Sequence, residues 1–318
     1  MLLEVKNLRV AFRRDGREIV PVRDVSFEVP EHGRVALVGE SGCGKSLTAL
    51  SLMRLSPTDR ATVSGTIHKP QRIAYVFQNP TDSLNPVMRI RDQIREALPR
   101  DMDRQAQDAQ IVQLLARTGL PDPQRAARAY PCELSGGQQQ RCMIAMALAA
   151  SPDLLVADEP TTALDVTTQK QVLELIDSLA AETGMAVLLI THNLGLVAGR
   201  MDFVNVMYAG QIVESGPVTE VLSTPRHPYT KGLLAAVPAL DAPRDAPLAD
   251  IPGTVPPPDR WPPGCSFAPR CAYATEACSQ GQPPLTTDRD RSWRCFLKGS
   301  LGMPSAPGAL PRPRPLQA

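Results

Sequence analysis

Long apolar runs are missing from this 318-residue chain. The longest, Met143 to Ala150 and Met185 to Ile190, fall far short of the ~20 residues needed to cross a bilayer. No charged-then-apolar leader opens the sequence. A soluble, cytosolic chain is therefore expected, with any membrane association coming through a partner. A net charge of one sign is missing as well: 34 Lys and Arg against 33 Asp and Glu leave +1, so no bulk attraction draws the chain to nucleic acid. Aromatics make up 4%, too few for a platform that stacks on single strands. No repeat with a period of ~20–50 residues is visible.

Proline is in excess. Of the 32, 19 lie from residue 225 onward, so the chain changes character near that point. Cysteine changes with it. Cys43, Cys132 and Cys142 are scattered, whereas Cys265, Cys271, Cys278 and Cys295 crowd together. The expected organisation is a main unit over 1–237, a linker over 238–260, a compact Cys-rich module over 261–298 and a disordered Pro/Arg tail over 299–318.

Within the main unit, residues 2–12 and 25–29 alternate apolar and polar like half-buried antiparallel strands. Arg34 to Val38, Ile73 to Phe77, Leu154 to Ala157 and Ala186 to Ile190 are short apolar runs that suit buried strands. Val172, Leu175, Ile176 and Leu179 recur at helical spacing, with Gly184 placed to end that helix. Ile111, Leu114 and Leu115 mark another helix, closed near Gly119. Val204 to Tyr208, Ala209-Gly210 and Gln211 to Val213 read as a hairpin. The stretch 86–150 holds only helical patterns and reads as a helical subdomain inserted in a mixed α/β core.

Gly39-Glu40-Ser41-Gly42-Cys43-Gly44-Lys45-Ser46 is a complete G-x-x-x-x-G-K-S between a strand and a helix that begins at Leu47. Glycines let successive N–H groups curl toward phosphate oxygens, and the helix N-terminus adds partial positive charge. Lys45 can bridge the β- and γ-phosphates, and the Ser46 hydroxyl can ligate Mg²⁺. Cys43 lies inside the loop, where exposure would make it open to alkylation. Leu154 to Ala157 runs directly into Asp158-Glu159, at the carboxyl end of a strand where open α/β sheets bind ligands. One acid can hold Mg²⁺ while its neighbour polarises an attacking water.

Leu134-Ser135-Gly136-Gly137-Gln138-Gln139-Gln140-Arg141 lies between these two motifs and resembles the signature of ATP-binding cassette (ABC) ATPases. That resemblance implies a P-loop cassette of mixed sheet plus helical subdomain, here followed by a small Cys-rich, Pro-rich module. It implies that Ser135, Gly136, Gly137 and Gln138 close on ATP held by an opposite subunit. Gln78 resembles the Q-loop glutamine, a ligand of Mg²⁺ or water that also senses the transporter. Ala163-Leu164-Asp165 resembles the D-loop, and Thr191-His192 places His192 as the switch histidine facing the γ-phosphate. Phe12, 27 residues before Gly39, resembles the aromatic that stacks on adenine.

A narrower resemblance, to the oligopeptide/dipeptide importer ATPases (a group that also includes nickel and glutathione importers), rests on Phe77-Gln78-Asn79-Pro80, Ser83-Leu84-Asn85-Pro86, Tyr130-Pro131, His227-Pro228-Tyr229-Thr230 and Pro263 to Cys271. It implies ATP and Mg²⁺ as cofactors and attachment to the cytoplasmic face of a membrane. The implied partners are a second, homologous ATP-binding subunit, two membrane permeases and an extracytoplasmic solute-binding protein, with no nucleic acid. Two departures stand out: Val63 to Arg72 is shorter than the group's usual stretch, and Cys132 replaces a common His. The four late cysteines, spaced x5, x6 and x16, lack the paired C-x₂-C of zinc ribbons. The resemblance implies a [4Fe–4S] cluster on Cys265, Cys271, Cys278 and Cys295, with zinc or unligated thiols as alternatives. The cassette, with a core of its own, is expected to bind ATP without that module. A soluble ABC ATPase of DNA repair or translation would need a long coiled-coil insert or a second cassette, and a P-loop GTPase would need N-K-x-D. None of these is present.

Overall fold

The computed structural model describes residues 1–55, 61–162, 164–237 and 250–297. The expected tail over 299–318 and the linker residues 238–249 lie outside these, as does Ala163.

Two sheets pack face to face. In the smaller, β1 (Leu3–Arg14) and β2 (Arg17–Val29) form a hairpin and β4 (Ala61–His68) pairs with the other edge of β1, all antiparallel. The hairpin turns at Asp15-Gly16, both at positive φ (52° and 74°), the conformation that primed hairpin turns require. β2 runs much further toward the turn than its alternating tail at 25–29 predicts. Pro21, which has no N–H to give to a ladder, interrupts the apolar signal there. β4 occupies most of the 63–72 stretch.

The larger sheet has the strand order β10-β11-β9-β8-β3-β7-β6-β5. Its strands are β3 (Arg34–Val38), β5 (Ile73–Val76), β6 (Leu154–Asp158), β7 (Ala186–Thr191), β8 (Phe203–Tyr208), β9 (Gln211–Pro217), β10 (Leu285–Asp288) and β11 (Arg291–Arg294). β8-β3-β7-β6-β5 is parallel, and the remaining pairs are antiparallel. The central strands read as unbroken apolar runs because both faces are covered. On β6 and β7, Leu154, Val156, Leu188 and Ile190 face the small sheet, among Leu3, Val10, Val25 and Val29. Leu155, Ala157, Val187 and Leu189 face the opposite layer, among Ile144, Val172 and Ile176.

That second layer is helical. α1 (Lys45–Leu52), which follows β3, instead lies between the two sheets, with Ala49 and Leu52 in the inter-sheet core. α2 (Pro80–Ser83), α3 (Ile90–Arg95), α4 (Arg104–Arg117), α5 (Pro123–Arg128) and α6 (Gly136–Ala149) lie between β5 and β6. α7 (Val166–Thr183) connects β6 to β7 and ends at Gly184, whose φ of 70° supplies the left-handed cap. α8 (Val218–Ser223) and α9 (Pro228–Ala235) follow β9, and α10 (Ala277–Gln280) lies in the four-cysteine segment. That segment is joined to the main unit through the sheet, since β11 pairs with β9 through Ser292–Ser215 and Trp293–Glu214. Arg291 forms a buried ion pair with Glu214 at 3.0 Å. Phe267 packs against Tyr208 and Tyr229, with ring centroids 5.2 and 5.4 Å away.

Candidate nucleotide site

The carboxyl ends of β3, β6 and β7 converge on one place. After Val38 the chain turns through residues 39–44 into α1, and glycine is required there for two separate reasons. A Cβ on Gly39 would lie 2.2 Å from the Met207 carbonyl oxygen. Gly44 caps α1 at φ 101°, and a Cβ there would meet the Pro21 carbonyl oxygen at 2.9 Å. Ser41, Gly42 and Ser46 are exposed, whereas Lys45 is buried. Lys45 Nζ donates to the Gly39 and Glu40 carbonyls at 2.7 and 3.1 Å and lies 3.8 Å from Glu159 Oε1. Leu47 faces the inter-sheet core. Cys43 corrects the sequence reading: it is fully buried, and burial pushes its thiol pKa up. It is a packing residue of the loop, with its thiol held away from reagents.

Asp158 and Glu159 emerge from β6 into different surroundings. Asp158 is 5% exposed. Burial pushes its carboxyl pKa up, partly offset by the Tyr75 and Ser46 hydroxyls. Tyr75, from β5, donates to its Oδ2 at 2.7 Å, while Oδ1 is buried without a hydrogen-bond partner. Glu159 sits at φ 46°, a left-handed conformation that turns its side chain away from the strand direction. Burial raises its pKa, but the Thr162 hydroxyl, His192 and Lys45 outweigh this and leave it lowered. Its Oε2 accepts from Thr162 Oγ1 at 2.7 Å and Gln78 Nε2 at 3.2 Å, and lies 3.2 Å from His192 Nδ1.

The structure thus brings together Lys45, Gln78, Asp158, Glu159 and His192 from separate loops. It places the other candidates elsewhere. Ser135 caps α6 in a reciprocal capping box with Gln138. Gly136 and Gly137 form that helix's first turn, with Gly137 close against Thr168. Asp165 caps α7 through the Thr168 N–H and hydroxyl. No hydrogen bond or ion pair among the described residues joins these to the phosphate loop within one chain. Phe12 is half-buried at the end of the small sheet, paired with Ile19 and Ala61.

Three contacts were not legible from motifs: Tyr75 on Asp158, Thr162 on Glu159, and a grip on Glu40 from Tyr229 and Arg270. Only Tyr75 left a signal, as the one polar-tipped residue in the Ile73 to Phe77 run. Cys265, Cys271, Cys278 and Cys295 line one small cavity together with His227, Phe267 and Tyr273. Burial pushes the Cys265 and Cys271 thiols up to about 11 and about 12, and raises Cys295 as well. Among the described residues, no three His, Cys, Asp or Glu side chains are placed to hold a metal ion. No described helix is long and apolar enough to cross a membrane.

The ABC transporter family model matches residues 22–162, and that of the oligopeptide/dipeptide transporter C-terminal region matches 213–278. A putative peptide import ATP-binding protein of Brucella abortus (strain 2308) is 46% identical over 313 residues, covering 92% of this chain and 94% of its own. One from Brucella ovis is 49% identical over 316 residues, covering 90% and 94%. Among solved structures, a dimeric ATP-binding cassette in a post-hydrolysis state bound to ADP and phosphate superposes with a TM-score of 0.60 at 24% identity. It covers 68% of this chain and 99% of that one. A cassette of an ABC transporter complex from Clostridium perfringens gives 0.59 at 23%, covering 69% and 90%. These two likenesses carry the fold; the relatives' identity over nearly the whole length carries the kinship. The chain belongs to the ATP-binding proteins of the ABC transporter family, in its oligopeptide/dipeptide branch.

Proposed function

We propose that this chain is the ATP-hydrolysing subunit of an importer for dipeptides or oligopeptides, working on the cytoplasmic side of a membrane. The observation that carries the chemistry is the convergence of Lys45, Gln78 and His192 on Glu159, beside a buried Asp158 with one unpartnered oxygen. The relatives' names favour peptides over nickel chelates or glutathione.

In this reading the 39–46 loop cradles the phosphates with its backbone N–H groups, and Lys45 exchanges the Gly39 and Glu40 carbonyls for phosphate oxygens. Asp158 Oδ1 and the Ser46 hydroxyl fit a Mg²⁺ ion, with Gln78 within reach; bound there, the ion would offset charge on the β- and γ-phosphates. Glu159 stays ionised at neutral pH because its hydrogen bonds outweigh burial, so it can accept a proton from an attacking water. Gln78 and His192 orient that carboxylate and stand ready for the γ-phosphate. Phe12 stacks on adenine. Ser135, Gly136, Gly137 and Gln138, distant from the loop in one chain, complete the site of a second, homologous subunit, and Asp165 lies at that interface. Two permeases would dock at the Gln78 to Pro86 stretch, which the exposed Phe77 and Val87 flank, and a solute-binding protein would deliver the peptide.

We further propose that the four late cysteines hold a [4Fe–4S] cluster. Four thiols lining one cavity supply the donor chemistry, and thiolates this close together, two of them buried, need a cationic centre to ionise together. Zinc is supported less well, because a single ion needs its ligands gathered about one point.

The test of function is reconstitution with two candidate permeases and a candidate partner cassette. Peptide uptake into vesicles should require ATP and stop with Lys45→Ala. Uptake that continues in the Lys45→Ala vesicles would overturn the reading.

A further inference from the structure

The second residue of the phosphate loop is gripped from behind by the C-terminal region. Arg270 Nη1 and Nη2 donate to the two Glu40 carboxylate oxygens at 2.7 and 2.9 Å, a bidentate pair 230 residues apart in sequence. The Arg270 side chain is 5% exposed. Its remaining donors reach the Pro252 carbonyl at 2.7 Å, the Ile251 carbonyl at 2.9 Å and Tyr208 Oη at 3.4 Å. The Glu40 backbone N–H donates to Tyr229 Oη at 2.7 Å, and Tyr229 packs on Tyr208 and Phe267. Arg270 directly precedes Cys271, whose side chain lines the four-cysteine cavity.

We propose that Arg270 is a positioning residue for nucleotide binding: it neutralises and fixes Glu40, so that the phosphate loop is complete only when the four-cysteine segment is folded against it. The argument is electrostatic as well as geometric. Glu40 is an acid inside a loop that must receive a polyphosphate, and its carbonyl accepts from Lys45. Left unpaired, its carboxylate would repel the phosphates and compete for Lys45. A fork-shaped guanidinium pairs both oxygens at once, which an ammonium group cannot do. The inference rests on the reading that this loop binds ATP.

The experiment titrates the full-length chain with a fluorescent Mg-ATP analogue and follows each variant's thermal unfolding. Wild type should bind and Lys45→Ala should not; binding by Lys45→Ala would overturn the ATP-site reading itself. With that reading in place, Arg270→Gln should weaken binding about tenfold. Glu40→Gln added to Arg270→Gln should restore much of the affinity by removing the exposed charge, although it adds no packing. A merely structural arginine would show no such rescue. Arg270→Lys, which keeps the charge and loses the fork, should bind about threefold more weakly than wild type, and it decides the matter if Arg270→Gln does not fold. Unchanged affinity in the folded Arg270 variants, or a double variant as weak as Arg270→Gln, would overturn the proposal.

Discussion

Tyr75 donates its hydroxyl to Asp158 Oδ2 at 2.7 Å and leaves the buried Oδ1 as the carboxylate's free face. One oxygen is therefore fixed and the other is presented toward the phosphate loop. Burial raises the Asp158 pKa and the Tyr75 bond opposes that rise, so removing the hydroxyl favours the protonated acid further. Protonated, Asp158 loses its hold on Mg²⁺. In Tyr75→Phe the Mg²⁺ concentration for half-maximal ATPase activity should rise about tenfold, and more at pH 6 than at pH 8. The rate at saturating Mg²⁺ should stay within about twofold. A fall in that saturating rate with no change in Mg²⁺ dependence would remove Tyr75 from this role.

Glu159 has the opposite balance. Thr162, His192 and Lys45 outweigh burial and hold it ionised, which suits a proton acceptor. Glu159→Gln keeps the shape and loses the charge. ATP binding should persist while turnover falls about a hundredfold or more, and the nucleotide-bound dimer should accumulate. Size-exclusion chromatography with ATP checks the second point, using a partner cassette with its own site disabled. Hydrolysis at the wild-type rate would remove Glu159 from the chemistry.

Most of the nucleotide side of this molecule was legible in the residues, because backbone geometry imposes it. Gly39 and Gly44 stand where any side chain would collide with Met207 or Pro21. Leu154 to Ala157 is apolar throughout because the strand is covered on both faces. The contacts from distant segments were not legible. Arg270 falls within the Pro263 to Cys271 motif, but nothing in that motif points to Glu40, and only the fold carries it there. Cys43 was read as exposed because it lies inside the phosphate loop, yet the loop turns its thiol inward, 2.9 Å from where a Gly39 side chain would begin. β10 and β11 went unread because strands of four residues, one exposed throughout and the other running Arg-Ser-Trp-Arg, carry no alternation to detect.

His227 gives a pH dependence of definite sign. It is fully buried, and burial lowers its pKa from 6.5 to about 3. Its Nδ1 accepts the Tyr229 N–H at 3.0 Å, capping α9, and that contact requires an unprotonated nitrogen. The unfolded chain takes up the proton near pH 6.5 and the folded chain does not. The stabilisation is therefore complete above pH 6.5 and is lost as the pH falls from there toward 3, by about 1.4 kcal/mol per pH unit. His227→Asn keeps a capping acceptor without a titrating ring. Its unfolding midpoint should fall less steeply between pH 6.5 and 5 than that of wild type, with denaturant titrations supplying the free energies. Parallel slopes for the two proteins would sink the assignment.

The last prediction concerns the cysteines. Anaerobically purified protein should be brown and contain iron and acid-labile sulfide in equal amounts. Cys271→Ser should lose the colour and open residues 261–297 to proteolysis, because a short Pro-rich segment has little apolar area to fold on without its centre. Stoichiometric zinc without sulfide would replace the iron assignment, and no metal at all would remove both. From the sequence, the cassette is expected to bind ATP regardless of this loss. The Arg270–Glu40 pair changes that expectation: Cys271 adjoins the arginine that neutralises the phosphate loop. The main core, which draws on residues such as Leu155, Ile144 and Val172, should still fold. Nucleotide affinity should nonetheless fall in Cys271→Ser by a factor similar to that of Arg270→Gln. Combining the two substitutions should add little, since both act through the same carboxylate. Full ATP affinity in a colourless, protease-sensitive Cys271→Ser protein would show that the loop holds its shape without the segment behind it.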